Sequence, residues 1–332
     1  MALGTWLNVR HGVGNPHVRP GATGFFAWDG GWYRDIAAHT YGGVPREGLR
    51  FFPLLPLLGN RLGGSGVAVV SVANVAALAY AEGICRLTSA ELSDEAGQRA
   101  AWLALLNPAA FVLVLAYAEA PAAALAVWTL YLLRRRQWWW AAALAFLGGL
   151  ARPIGLLLAI PALLEAVRGR RAARDTLARV VAVAAAPLGC LSYLVWCGVT
   201  RGDPWLPFSE QSRADLRGHA AVWPLPALRE AVSSALHAGP VGVSVRVLTV
   251  PLAVWLLVRC ARRLPLSYTA YAAAILVLAI GTPHLASFER YAASAFPLLM
   301  AASTFRSRWV WVVAVVPMVA LGLLSFVNVY VP

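Results

Sequence analysis

From residue 66 onward the chain reads as long apolar runs separated by short polar joints. The runs predict helices that cross a bilayer at roughly 67–84, 100–116, 120–133, 138–151, 154–167, 177–198, 240–258, 265–281, 289–305 and 309–329, with ends good to about four residues. Ahead of them the pattern differs. Residues 1–27 form a polar, Gly- and Pro-bearing lead-in. From Gly31 to His39 the spacing predicts a short amphipathic helix, with Trp32, Tyr33, Ile36 and Ala37 toward one side, lying in the interface plane. The run Phe51 to Leu58 is broken by Pro53 and Pro56, as suits a second interfacial or re-entrant piece. No internal repeat or low-complexity linker divides the chain. The expectation is one integral membrane domain over 1–332: an all-α polytopic bundle of about 10–11 spans with interfacial helices on its outer face.

Composition supports the membrane class. Of 332 residues, 60% are apolar and 13% charged, against about 25% charged in soluble domains. The mean hydropathy is +0.65. A net charge of +13 raises the question of nucleic acid, but the arginines stand in short clusters between apolar runs, the footprint of the positive-inside rule. The four cysteines, Cys85, Cys190, Cys197 and Cys260, show no metal-ligand spacing and read as small apolar residues. No dedicated metal cage is visible, which leaves a divalent ion neither required nor excluded. The first twenty residues lack the apolar core of a signal peptide.

The arginines set an orientation. Arg134-Arg135-Arg136, Arg168 to Arg174, Arg259 with Arg262-Arg263, and Arg306 with Arg308 fall in alternate joints. If these face the cytoplasm of a cell membrane, the outward segments are 25–60 (the first outer loop), 117–119, 152–153, 199–239 (the second) and 282–288. That side then collects Asp29, Asp35, Glu119, Arg152, His284, Glu289 and Arg290. Loop 85–99, with its carboxylates, falls inward. The count begins outside, where a helix running outward before Trp28 is the ordinary solution.

Two hairpin arms, 138–151 and 154–167, are about 14 residues each. At 1.5 Å per residue they reach about 21 Å, less than a ~30 Å hydrocarbon core. Their junction at Arg152 therefore sinks below the outer surface, and a sunken arginine needs a partner or a wet cavity. The same holds for Glu119 ahead of segment 120–133. Together they predict a polar pocket open to the outside, or simply a mutual ion pair. Asp29 reads either as the cap of the amphipathic helix or as a base. Asp35 reads as a solvated mid-helix acid. Trp28, Trp32 and Tyr33 suit a membrane belt or a sugar-stacking platform, and Trp138-Trp139-Trp140 a belt. His39 and Tyr41 suit an acceptor site, Tyr41 also an interfacial anchor. In the 199–239 loop, Leu225, Leu228, Val232, Ala235 and Leu236 predict one apolar side of a helix covering the pocket. Arg290 suits a lipid phosphate or a snorkelling anchor.

Several ordered pieces resemble one family. Trp28-Asp29, Ile36 to Tyr41 and Phe51 to Pro56 look like the first outer loop of the GPI mannosyltransferase II (PIG-V-like) family. Asn107-Pro108 with Tyr117-Ala118-Glu119, Arg152-Pro153 with Gly155, and Arg290-Tyr291 with Phe296-Pro297 are similar to its later segments. Thr40 stands where the family usually has Gly, and Ala118 where it has Ser. The resemblance implies a GT-C glycosyltransferase fold, an outward-facing site, a polyprenyl-phosphate sugar donor, usually mannose, and a catalytic acid at Asp29. The acceptor does not carry over. On that reading Asp29 is the general base of an inverting transfer, Arg152 and Arg290 hold phosphate, and Tyr117 and Glu119 position the acceptor or an arginine. Trp28, Trp32, Tyr33, His39 and His284 complete the expected substrate site. A secondary transporter, or a non-catalytic membrane partner derived from a transferase, are the competing classes.

Overall fold

The computed structural model describes residues 23–168, 175–213, 223–236, 241–282, 285 and 287–326. Among these every regular element is a helix, and no strand occurs. The helices are α1 (Asp29–His39), α2 (Leu54–Arg61), α3 (Gly66–Glu91), α4 (Asp94–Leu106), α5 (Glu119–Arg134), α6 (Trp138–Ala151), α7 (Ala159–Arg168), α8 (Thr176–Arg201), α9 (Leu206–Gln211), α10 (Pro224–Leu236), α11 (Val241–Arg263), α12 (Leu266–Ile280), α13 (Phe288–Ser294), α14 (Pro297–Ala302) and α15 (Trp309–Phe326). Two of them, α3 and α8, are long and apolar enough to cross a membrane. Helices α6, α12 and α15 are apolar but shorter.

Most of the expected segments coincide with these helices, and the exceptions have local causes. The expected inner loop 85–99 is mostly helical: α3 continues through Glu91, and α4 starts after Ser93, whose side chain accepts from Ala96 N–H as an N-cap. The Glu82–Arg86 pair at i,i+4 shows why polar residues did not stop α3. The expected span 100–116 breaks after Leu106. Asn107 takes an extended conformation, as a residue before proline does, and its amide bonds to Ala104 C=O and Ala109 N–H. The expected span 289–305 breaks between α13 and α14, where Pro297 can open a helix but not continue one.

Helices α6 and α8 approach closely through glycine. A Cβ on Gly189 would lie 2.0 Å from Phe146 O, and one on Gly149 would lie 2.2 Å from Ala186 O. Backbones therefore touch where any side chain would separate them, the small-residue packing of close helix pairs. This fixes the height of α6, and hence of Arg152 at its C-terminus.

Polar bonds join the ends of several helices. At one end Arg134 pairs with Glu91 at 2.6 Å and Glu165 at 3.2 Å. Glu165 also accepts from Ser267 Oγ, and Glu91 from Tyr268 Oη. Arg306 pairs with Glu95, and Arg259 donates to Thr304. This arginine-rich end lies one α5 length, about 22 Å, from Glu119 at the other end.

Other expectations on the helix faces are corrected. Helix α10 packs on α11 and α12 through Ala227 and Ala231, while Leu225 and Leu236 are exposed. Small residues allow the close approach, so Leu225 and Leu236 turn outward while Leu228 packs against the core beside the alanines. Trp139 and Trp140 are exposed, whereas Trp138 is buried with the Arg179 guanidinium 5.2 Å from its ring.

Candidate functional site

Four charged side chains from four distant parts of the chain meet at the end opposite the arginine-rich rim. Arg290 Nη1 donates to Asp29 Oδ2 at 3.0 Å. Arg290 Nε lies 3.2 Å from Glu119 Oε1, and Arg152 Nη1 lies 2.8 Å from the same oxygen. The chain of charges thus runs Asp29, Arg290, Glu119, Arg152. Arg290, Glu119 and Arg152 are buried or nearly so, while the Asp29 side chain is 33% exposed and forms the open end.

Helix ends hold three of the four. Asp29 is the first residue of α1 and Glu119 the first of α5, so each carboxylate sits at the positive end of a helix dipole. Arg152 is the C-cap of α6, at the negative end. Pro153, which cannot continue α6, turns the chain into a 3₁₀ segment, Pro153–Leu158. The capping reading of Asp29 is corrected: the N-cap is Trp28, whose own side chain makes no capping bond, and α1 starts two residues before Gly31. The Asp29 carboxylate is directed to Arg290 instead.

The backbone around Asp29 is held by its neighbours. Asp29 N–H donates to Tyr117 Oη at 3.2 Å, and Ala116 N–H donates to Phe25 C=O at 2.9 Å. A Cβ on Gly30 would sit 3.0 Å from Phe25 O and 3.6 Å from the Tyr117 ring, so glycine is what lets α1 settle here. Trp28 has φ 54° and ψ −119°, a conformation costly for a bulky residue. It is stabilised by an indole N–H bond to Ser325 C=O at 3.2 Å and by packing with Val112, Leu115 and Tyr117.

Aromatic rings surround the guanidinium groups. The Arg290 carbon lies 5.9 Å from the Tyr117 ring centre and 5.8 Å from that of Tyr291. Arg152 lies 5.7 Å from the Tyr291 ring. Burial pushes the Tyr117 phenol well above its ordinary pKa; the Asp29 carboxylate adds to this and Arg290 opposes it. Tyr33 is raised by the same cause, with Glu119 and Asp29 adding and Arg152 opposing. Both phenols therefore stay protonated at neutral pH and can serve as hydroxyl donors.

The remaining expected site residues divide. Tyr33 is buried against Phe51 and feels the cluster's charges. Trp32 stacks on Phe51 at 5.7 Å, with the Arg50 guanidinium 5.5 Å from its ring. Tyr41 is buried and donates to Phe51 C=O. Asp35 pairs with Arg34 at 2.9 Å and is not freely solvated. His39 does not join the cluster. It is exposed at the far end of α1, about 15 Å along the helix from Asp29, with Nδ1 3.2 Å from Asp35 O. His284 lies outside the described residues. Sequence reasoning missed Tyr291 as a site residue, although it adjoins Arg290, and it missed Tyr80, which lines a small cavity behind Glu119 and Arg290. Among the described residues no group of three His, Cys, Asp or Glu side chains is arranged to hold a metal ion.

Chemically, the arrangement offers an accessible carboxylate backed by two buried, aromatically flanked cations. Comparison with protein-family models, with curated proteins and with solved structures finds no match to this chain.

Proposed function

We propose that the chain is a multi-pass membrane glycosyltransferase of the GT-C kind, similar to the PIG-V-like mannosyltransferases. It moves a sugar, mannose being the expected one, from a polyprenyl-phosphate donor to a lipid, glycan or protein acceptor. The observation that carries this reading is the Asp29–Arg290–Glu119–Arg152 chain, with its carboxylate at the open end and its cations behind. Its position at the end away from Arg134, Arg259 and Arg306 supports an extracytoplasmic site on the positive-inside rule.

The residues divide the work as follows. Asp29 takes the proton of the acceptor hydroxyl as its oxygen attacks the anomeric carbon, with inversion. The bond from that carbon to the phosphate oxygen breaks, and the phosphate leaves with the electron pair. Arg290 and Arg152 compensate the charge that grows on it. Glu119 holds both guanidinium groups, and Tyr117 holds the Asp29 backbone. In the resting state the Asp29 carboxylate is engaged by Arg290. A donor phosphate that draws Arg290 toward itself loosens this pair and frees the carboxylate for the acceptor hydroxyl.

A non-catalytic membrane partner is the second reading. It is favoured by one observation: the two carboxylates and two guanidiniums compensate one another, as a purely structural staple would. The deciding experiment offers the purified protein a labelled polyprenyl-phosphate-mannose and follows label into membrane lipid or protein. Transfer supports the enzyme. No turnover with any polyprenyl-phosphate sugar supports the partner.

A further inference from the structure

We infer that one water molecule is an internal part of the charged cluster, held between Tyr80, Arg290 and Glu119 in the cavity behind them. The inference rests on the geometry of the cluster and not on the transferase reading. Tyr80 projects from the middle of α3, is 2% exposed, and its Oη has no hydrogen-bond partner among the described residues. A buried hydroxyl left in that state is costly, and native interiors nearly always supply a partner.

The space beside it is suited to supply one. A cavity of about 20 Å³ is bounded by Tyr80, Asn107, Glu119, Arg290 and Ser294, with Ala, Val and Leu side chains closing the rest. That is room for a single water, which needs two to four polar partners. The partners are present. Arg290 Nε is buried, and its 3.2 Å approach to Glu119 Oε1 is a charge contact without hydrogen-bond alignment, so its N–H is available to a water oxygen. Tyr80 Oη can donate to that oxygen, or accept from the water. The Glu119 carboxylate and Asn107 Oδ1 supply acceptors for its protons; among the described residues Asn107 Oδ1 accepts one bond, from Ala109 N–H, which leaves a lone pair. The water thereby ties α3 to the N-terminus of α5 and to α13, and steadies the Arg290 guanidinium that reaches Asp29.

The sign of a stability change tests this. Tyr80→Phe keeps the ring and removes only the hydroxyl. If Tyr80 holds the water, the detergent-solubilised variant melts at a lower temperature than the wild type, and the loss shrinks in a Glu119→Gln background because the two share the bridge. If the hydroxyl is an orphan, its removal raises the melting temperature or leaves it unchanged, and the proposal falls. Equal losses in both backgrounds also overturn it. Should Glu119→Gln fail to fold, an experimental map of the wild-type protein that resolves internal waters decides. A peak within hydrogen-bond reach of Tyr80 Oη supports the inference, and an empty cavity ends it. Neither readout depends on sugar transfer.

Discussion

Arg290 reaches Asp29 across 261 positions of sequence, and the 3.0 Å bond between them joins a buried cation to a carboxylate that still meets solvent. On the proposed chemistry this pair separates substrate from protein interior. Asp29→Asn is then expected to insert and fold, because the amide can still accept from Arg290, yet to lose at least about 100-fold in transfer rate, the scale of general-base catalysis. Labelled transfer by the purified variant, beside its elution profile and melting temperature, checks both halves. A folded and fully active Asp29→Asn protein refutes the assignment.

Glu119 carries a different expectation. It is buried between two guanidiniums, so Glu119→Ala leaves Arg152 without its carboxylate and Arg290 with only the partly exposed Asp29. Removing one member of a buried ion pair costs about 3–5 kcal/mol. The variant is expected to unfold well before Asp29→Asn in a thermal series. The double variant Glu119→Leu with Arg152→Met is expected to recover part of the loss, since it removes both charges together.

Thr40 closes α1 with φ 58° and ψ 179°, a region in which only glycine is at ease. Thr40→Gly is expected to stabilise the protein by about 1 kcal/mol, the low end of such strain, whereas Thr40→Ala brings no gain. Denaturant or thermal unfolding of the two variants distinguishes them.

Gly189 sets the spacing of α6 and α8. Its substitution by alanine drives a Cβ toward the Phe146 carbonyl, where the present backbone leaves 2.0 Å. A loss of about 1–3 kcal/mol is expected from the forced separation. Because α6 ends at Arg152, transfer activity should fall with it even at temperatures where the variant remains folded. Ala143 lies on the same helix as Phe146 but is exposed, and its substitution by valine gives a control of small effect.

Orientation has its own test. Leu62 is exposed in the turn between α2 and α3, and Arg136 is exposed after α5, at the arginine-rich end. With cysteine at each position in turn, a membrane-impermeant maleimide added to intact cells is expected to label Leu62→Cys and not Arg136→Cys. The reverse pattern would put the charged cluster on the cytoplasmic side and end the proposed use of an extracytoplasmic donor.

Much of this site was legible before any fold was known. Asp29, Glu119, Arg152 and Arg290 stand out because each is a charge beside apolar runs, and the short arms of α6 and the segment after it indicate a sunken Arg152. Other features were not legible. Tyr80 lies in an apolar run, where a tyrosine that lines a cavity has the same pattern as one that fills a core. His39 follows Asp29 closely in sequence, yet a straight helix puts it at the opposite end of α1. The breaks after Leu106 and at Pro297 were marked by proline, but apolar continuity on both sides hid them.

Hydropathy is a property of each segment by itself, so the sequence alone determined which stretches bury, which ends carry arginine, and which few charges must find partners. It also supplied local caps and stops such as Ser93 and Pro297, which act on the backbone next to them, although it suggested a cap at Asp29 that the fold does not use. Which charge meets which depended on the tertiary structure. The depth and rotation of α1, α5, α6 and α13 are set by contacts such as Gly189 against Phe146 and Gly30 against Phe25. Those contacts join residues far apart in the chain, and a change of a few ångströms in any of them would leave the same four residues unable to form one cluster.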